Sequence, residues 1–285
     1  MRNDVRKLLS MDLKGILDIA GRSNTGLVRT NNEDKIGEDQ EIGLVVLADG
    51  MGGYKSGEVA SEVAVNTILE ELRKSIPDLP PGEIDEQTGY TKESLAARNS
   101  IVRANEAIFE MSSSNAEYRG MGTTLVMGIF YDNQITIAHV GDSRMYRYRD
   151  GSLQQITVDH TLLQELVDRG FYTQEEANSS LNKNLVTRAL GIEGSIAVDI
   201  NEDLAMPGDI YLLCSDGLTD MVDDQEISAT VTAFRDNLDE LADKLVVIAN
   251  DNGGRDNVSV LLAQPNKEFP GKKDWKSKFG KLLSK

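Results

Sequence analysis

Three aspartates in this sequence follow apolar segments that are typical of buried strands. They are Asp49, Asp142 and Asp216, and each has a glycine beside it. A fourth, Asp256, lies just before the apolar segment that begins at Val258. If these strand ends meet, their carboxylates repel one another unless cations lie among them. Because hard divalent cations prefer oxygen ligands, the pattern predicts a metal centre.

The glycines next to these aspartates support the same interpretation. Gly50, Gly52 and Gly53 lack a Cβ atom, so backbone carbonyls can face a metal and a phosphate can approach closely. The alternative for any single Asp-Gly pair is a plain turn. Four such sites in one chain favour a shared function over four unrelated turns.

A fifth acidic segment is Arg29-Thr30-Asn31-Asn32-Glu33-Asp34. Its planar guanidinium can hold two phosphate oxygens at once, while the paired carboxylates suit a metal on the other side of the phosphate. Taken alone, the hexapeptide is also compatible with a surface ion pair. Together with the four aspartates it predicts a site for a phosphate ester.

The elements that must position these residues are strands and helices in mixed order. The dipeptides Asp132-Asn133 and Asp150-Gly151 each lie between two strand-like segments, which predicts two β-hairpins. Hairpins with interspersed helices indicate an α+β fold with antiparallel sheets. The predicted strands are Ile42–Ala48, Thr123–Tyr131, Gln134–Val140, Arg144–Arg149, Leu153–Thr157, Ile196–Ile200, Asp209–Cys214 and Val258–Ala263.

Four helices are predicted between these strands. The first, Gly57–Arg73, carries Ala60, Ala64, Ile68 and Leu72 at helical spacing. The second, Lys92–Ser112, places Leu95, Val102 and Phe109 on one face. Two more follow at Asp224–Phe234 and Leu238–Asn250.

Composition limits the classes of protein that fit. With 285 residues, 40% of them hydrophobic, one compact domain is expected. The absence of an 18-residue apolar segment and the single cysteine favour a protein of the cytoplasm, without disulfides. The net charge of −17 argues against a nucleic-acid partner. Bound divalent cations would reconcile such an acidic chain with a phosphorylated substrate.

The C-terminal segment has a different character. Residues 267–285 contain seven lysines and two acidic residues. Trp275, Phe279 and Leu282 have the spacing of a short amphipathic helix, which would allow contact with an anionic membrane or a partner. The plainer interpretation is a solvated lysine tail.

Six motifs, in order, resemble those of the protein phosphatase 2C family, the metal-dependent PPM phosphatases. The resemblance runs from about Ile16 to Ala263. It rests on Arg29 with Asn32-Glu33-Asp34, Asp49-Gly50-Met51-Gly52-Gly53, Gly120-Met121-Gly122-Thr123-Thr124, Val140-Gly141-Asp142-Ser143-Arg144, Cys214-Ser215-Asp216-Gly217-Leu218 and Arg255-Asp256-Asn257-Val258-Ser259.

The resemblance implies a four-layer α-β-β-α sandwich, in which two antiparallel sheets pack face to face. The catalytic domain would span residues 15–265, with a flap at about 162–190. An N-terminal extension would cover residues 1–14, and a basic tail residues 266–285.

The resemblance also implies ligands for two Mg²⁺ or Mn²⁺ ions. Asp49 would bridge both metals, the Gly50 carbonyl would bind one of them, and Asp216 and Asp256 would bind the other. Glu33 or Asp34 would lie nearby and contact a metal through water.

Asp142 matches the position of a third, weaker metal in bacterial members. Arg29 would bind the substrate phosphate, and Arg29 and Asp49 are the expected catalytic residues. Some relatives have a histidine where this chain has Met51, which has no proton to donate. The general acid would then be a water at the metals or His160. His139 lies in an apolar strand and is interpreted as a core histidine.

The implied function is hydrolysis of phosphoserine and phosphothreonine in proteins by direct attack of metal-activated water. A cognate bacterial Ser/Thr kinase is an expected partner, and a monomer is expected. The alternatives are a metal-dependent hydrolase of small phosphoesters and an inactive homologue that binds phosphoproteins. A cysteine phosphatase is excluded, because the residue six positions after Cys214 is Asp220 and not arginine. Cys214 is predicted to be a buried, inert thiol.

Overall fold

The computed structural model describes residues 13–52, 56–173, 176 and 185–269. The predictions for the N-terminal extension, for Gly53, for the middle of the flap and for the basic tail therefore lie largely outside the described residues.

Two antiparallel sheets contain the described strands. The first has the order β1-β11-β10-β7-β8, and the second has the order β2-β3-β5-β6-β9, with the short β4 paired to β3. Their bounds are β1 Leu17–Asn24, β2 Asp34–Asp39, β3 Leu44–Met51, β4 Gly122–Thr123, β5 Leu125–Tyr131, β6 Gln134–Val140, β7 Arg144–Arg149, β8 Ser152–Gln155, β9 Asp199–Leu204, β10 Ile210–Cys214 and β11 Val258–Pro265.

Helices cover the outer faces of both sheets. The helices of the described residues are α1 Ser56–Ser75, α2 Lys92–Ser114, α3 Leu162–Asp168, α4 Asp216–Thr219, α5 Asp224–Phe234 and α6 Leu238–Asp251. Helices α1 and α2 share an apolar cluster with the second sheet. Helices α5 and α6 share another with the first sheet. A third cluster, which includes Val45, Phe130, Tyr211 and Leu261, fills the space between the sheets. The predicted four-layer sandwich is confirmed.

The two predicted hairpin turns are confirmed by backbone geometry. Asp132 and Asn133 have φ of 44° and 59°, and Asp150 and Gly151 have φ of 51° and 82°. Positive φ at both central residues defines the turn that matches the twist of paired strands. The turns join β5 to β6 and β7 to β8.

Both predicted long helices are confirmed, but the buried face of the second is not the face that carries Leu95, Val102 and Phe109. The apolar stripe of α1, which contains Ala60, Ala64, Ile68 and Leu72, is fully buried. The buried stripe of α2 contains instead Ala97, Ile101, Ala104 and Ile108. Phe109 is 36% exposed. Small alanines allow α2 to pack closely, and this outweighs the larger side chains on the neighbouring face.

The polar strands at the edges of the sheets differ most from the strands predicted from the sequence. Strands β1 and β2 were not predicted, and the strand predicted at Ile196–Ile200 lies at Asp199–Leu204. β1, β2 and β9 each lie at the edge of a sheet, and most of their residues are half-buried or exposed. An apolar-periodicity test fails there, because hydrogen bonds to a buried neighbour hold these strands in place.

Within the described ranges, no helix combines the length and the apolar composition that a membrane span needs.

Candidate metal centre

The carboxylates predicted for the centre come from both sheets and meet at one end of the sandwich. Asp49 lies in β3, directly opposite Asp34 of β2. Asp142 follows β6, Asp216 follows β10 and Asp256 precedes β11. Each of the other four raises the pKa of Asp49 through its negative charge. The structure therefore brings these five aspartates together.

Burial makes the charged forms of these carboxyls unfavourable. Burial is the main cause that raises the pKa of Asp34 and of Asp142 to about 6. It also raises the pKa of Asp49 and Asp216 well above the usual range, and neighbouring carboxylates add to the effect. The pKa of Glu33 is raised for the same main reason. Several buried negative charges that face each other require a cation to balance them.

Asp34 is held by hydroxyl groups but keeps one oxygen without a hydrogen bond. Ser215 Oγ donates to Asp34 Oδ2 at 2.8 Å. Asp34 Oδ1 is buried and has no hydrogen-bond partner. A buried oxygen of this kind is costly unless a further ligand, such as a cation or its water, reaches it.

The backbone of Asp49 and Gly50 is fixed tightly from two sides. Thr123 Oγ1 and the Thr124 N–H both donate to the Asp49 carbonyl at 2.8 Å. The Gly50 N–H donates to the Glu33 carbonyl at 3.1 Å. A Cβ atom at Gly50 would lie 2.1 Å from the Gly57 carbonyl oxygen, so only glycine fits. The absent Cβ atom thus lets the backbone of Gly57 and Glu33 pack against Gly50.

Asn257 ties the acidic segment to the Asp256 side of the centre. Its Oδ1 accepts from the Glu33 N–H at 2.8 Å, and its Nδ2 donates to the carbonyls of Thr25 and Asn31 at 2.9 Å each. Thr123, Thr124 and Asn257 belong to motifs that carry the family resemblance, but the sequence alone predicted no role for them. Their position beside the aspartates was the signal available.

Arg29 lies at the rim of the centre. One of its terminal nitrogens donates to Asp256 Oδ2 at 2.6 Å, and its side chain is 52% exposed. That hydrogen bond is the main cause of the raised pKa of Arg29. The guanidinium is thus permanently charged and open to solvent, as a phosphate-binding group requires.

Asp142 is linked to the base of the flap through Gly141. Gly141 has φ of 106°, and a Cβ atom there would lie 2.6 Å from the Thr124 side chain. The His160 N–H donates to the Gly141 carbonyl at 3.0 Å, and the Gly141 N–H donates to His160 Nδ1 at 3.1 Å. The two ends of the flap then pair through Thr161 and Val186.

Two buried histidines form a separate cluster next to this link. His139 and His160 stack with ring centroids 4.7 Å apart. Potential ligand atoms of both histidines and Asp199 lie within 4.8 Å of one another, a distance that no three carboxylates of the centre meet among the described residues. Burial is the main cause that lowers the pKa of both rings. His139 is therefore a core histidine, as predicted.

Hydrogen bonding argues against a metal at these histidines. Because His160 Nδ1 accepts a hydrogen bond from the Gly141 N–H, the neutral ring carries its own proton on Nε2. That nitrogen lies 3.2 Å from a carboxylate oxygen of Asp199, at an angle that departs from a regular hydrogen bond. Arg188 contacts the same carboxylate at 3.0 Å. Nδ1 of His160 is thus occupied and its Nε2 lies beside Asp199, which favours the structural interpretation of His160 over that of general acid.

The residues of the centre fit a hard divalent cation. The donors are carboxylates and a backbone carbonyl, and one buried oxygen of Asp34 lacks a hydrogen-bond partner. Such oxygen ligands are those that Mg²⁺ and Mn²⁺ prefer. Among the described residues, no lysine or arginine forms an ion pair with Asp34, Asp49, Asp142 or Asp216.

Known proteins are similar to this chain in sequence and in fold. The model of the family "Protein phosphatase 2C" matches residues 26–253. The serine/threonine phosphatase stp of Listeria welshimeri is 39% identical over 250 residues, which cover 86% of this chain and 94% of that protein. The crystal structure of the Mycobacterium tuberculosis serine/threonine phosphatase PstP/Ppp has a TM-score of 0.79 and 38% identity, covering 88% of this chain and all of that one.

A second solved structure bears on the centre. The catalytic domain of the serine/threonine protein phosphatase PstP, in complex with two manganese ions, matches 87% of this chain and 98% of that chain, with a TM-score of 0.75 and 37% identity. The segment that matches the family model, residues 26–253, contains every aspartate of the centre except Asp256, which follows it by three residues. On the family match, the identities and the fold, the chain belongs to the protein phosphatase 2C family.

Proposed function

We propose that this protein is a metal-dependent protein phosphatase that hydrolyses phosphoserine and phosphothreonine. The observation that carries the proposal is the convergence of five aspartates, of which only Asp256 forms an ion pair among the described residues, with the exposed Arg29 at the rim. The names of the relatives, which are serine/threonine phosphatases, support the substrate class.

We assign the metal ligands to residues of the centre. Asp49, the Gly50 carbonyl, Asp216 and Asp256 would hold two Mg²⁺ or Mn²⁺ ions, with Glu33 and Asp34 nearby. Asp142 would hold a third ion. When bound, such cations lower the pKa of water and neutralise negative charge. The manganese complex of PstP supports the choice of metal.

The residues of the chain would then position the substrate and support the ligands. Arg29 holds the phosphate at the rim, where its guanidinium is exposed and can match two phosphate oxygens. Asn257 and the two threonines, Thr123 and Thr124, hold the backbone of Glu33 and Asp49 in place. Fixed groups of this kind need no reorganisation when charge develops on the phosphate.

Cys214 takes no part in this reaction. It is fully buried in β10, and burial raises the pKa of its thiol to about 12. A thiol in that state is a poor nucleophile. The proposed reaction is therefore direct hydrolysis by water, without a phosphocysteine intermediate. We propose further that residues 15–265 form the catalytic domain and that the protein opposes a Ser/Thr kinase.

The test is hydrolysis by the purified chain of a phosphothreonine peptide, a phosphotyrosine peptide and a nucleoside monophosphate, each with and without Mn²⁺. We expect hydrolysis of the phosphothreonine peptide that depends on the metal and stops with chelator. Preference for the nucleotide would favour the small-phosphoester hydrolase. Binding of the phosphopeptide without turnover would favour the inactive homologue.

A further inference from the structure

Two exposed apolar residues directly precede the arginine of the centre. Leu27 is 68% exposed and Val28 is 65% exposed, and Arg29 follows them. A single exposed leucine or valine is common on protein surfaces and has no special meaning. A contiguous pair next to a phosphate-binding group is different, because a substrate held by Arg29 must pass close to it.

Hydrogen bonds hold the turn that carries this pair. The N–H groups of Leu27 and Val28 both donate to the Gly254 carbonyl, at 2.7 and 3.3 Å. Gly26 has φ of 79°, and a Cβ atom there would lie 2.2 Å from the Asp256 carbonyl oxygen. The turn is thus packed against the segment that leads to Asp256. A preformed surface loses little conformational entropy when a ligand binds.

The pair and the guanidinium of Arg29 are both held by the segment of residues 254–256. Arg29 contacts Asp256 at 2.6 Å, and Leu27 is only two residues away from it in sequence. An extended peptide advances about 3.3 Å per residue. With the phosphate at Arg29, the side chains next to the phosphorylated residue are therefore the part of a peptide substrate that would come near Leu27 and Val28.

We infer that Leu27 and Val28 form a contact surface for an apolar side chain next to the phosphorylated residue of the substrate. This inference rests on the proposed function. The occupant is a substrate segment, because the pair adjoins the arginine assigned to the phosphate. An apolar neighbour gains from leaving water on this surface, and a serine or a charged residue gains little.

The test compares two phosphothreonine peptides of equal length and charge, with leucine or serine on both sides of the phosphothreonine. We expect the wild-type chain to have a kcat/KM about fivefold higher for the leucine peptide. The double variant Leu27→Asn, Val28→Thr keeps the size of both side chains and the backbone N–H groups. In this variant the ratio should fall to near one through loss on the leucine peptide alone.

Two controls isolate the surface from the centre. Hydrolysis of p-nitrophenyl phosphate, which has no neighbouring residues, should stay within about twofold of wild type in the double variant. Ile84→Thr removes a 61% exposed apolar side chain beyond the far end of α1, a helix about 30 Å long that begins next to the centre, and should leave the ratio unchanged.

The outcomes separate this inference from the proposed function. A wild-type ratio of one, or a ratio that survives in the double variant, overturns the surface while phosphatase activity stands. If the metal-loaded wild-type chain hydrolyses neither of the two phosphothreonine peptides nor p-nitrophenyl phosphate, the proposed function and the inference are overturned together.

Discussion

Buried and half-buried aspartates occur in two regions of this protein, and they are balanced in different ways. Three arginines of β7 each pair with an aspartate. Arg144 contacts Asp159 at 2.7 Å, Arg149 contacts Asp209 at 2.7 Å, and Arg147 contacts Asp203. In the centre, other carboxylates are the main charged neighbours of Asp34, Asp49 and Asp216, while Asp142 lies near both Asp216 and the pair of Arg144 and Asp159.

The difference separates structural charge from functional charge. An aspartate paired with an arginine of its own chain is already neutralised, and the pair fixes two elements relative to each other. A group of aspartates without such partners raises the free energy of the metal-free fold and attracts a cation from solution. The following variants test that distinction.

Asp49→Asn should have the largest effect on activity. We expect the hydrolysis of a phosphothreonine peptide to fall at least about 100-fold, because the centre loses a charged ligand. The metal-free variant should nevertheless unfold at a higher temperature than the metal-free wild type, because one buried charge is removed. Asp209→Asn, at a paired position, should show the reverse, with activity retained and stability lost. Near-native turnover of Asp49→Asn would contradict the site.

Arg149→Met should have the largest effect on stability. It leaves Asp209, whose side chain is 3% exposed, without its arginine. Breaking a buried pair should lower the free energy of unfolding by about 3 kcal/mol, measured by denaturant titration. The exposed pair of Lys14 and Glu41 supplies the control, since Lys14→Met should cost less than about 1 kcal/mol. Equal losses would remove the distinction between the two kinds of pair.

The stability of the metal-free protein should fall as pH rises. A carboxyl with a higher pKa in the folded than in the unfolded state stabilises the fold at low pH and loses this contribution as pH rises through the folded value. For Asp34 and Asp142 that window runs from 3.8 to about 6, and for Asp49 and Asp216 it extends higher. We expect a loss of about 2 kcal/mol between pH 5 and pH 8.

Thermal unfolding with and without Mn²⁺ measures this effect. Stabilisation by the ion should grow with pH, because the ion replaces protons on the carboxyls. Stabilisation that is equal at pH 5 and pH 8 would mean that the centre binds no cation through these groups.

The histidine cluster should show the opposite sign with the smallest effect. Burial lowers the pKa of His139, whose charged neighbours are Asp199, Asp159 and Arg188. A histidine with a lowered pKa stabilises the fold above its unfolded value of about 6.5 and loses this contribution as pH falls. His139→Gln should therefore lose less stability than wild type between pH 7.5 and pH 5.5, by about 1 kcal/mol. Parallel losses in both proteins would assign the pH dependence elsewhere.

Much of the fold follows from local pattern. The turns at Asp132-Asn133 and Asp150-Gly151 need positive φ at both positions, and these residue types accept it, so the hairpins were predictable. The stripe of α1 was predictable because four apolar residues recur at helical spacing. Strands β1, β2 and β9 were not, because sheet neighbours hold them and their own sequences are polar.

The sequence by itself determined the ingredients of the centre, namely aspartates at strand ends and glycines beside them. It could not show that Asn257 holds the backbone of Glu33, since 224 residues separate the two. Nor could it distinguish the aspartates that arginines of β7 neutralise from those left facing one another. Only the tertiary structure decided this, because electrostatic balance depends on distances in space between groups that are far apart along the chain.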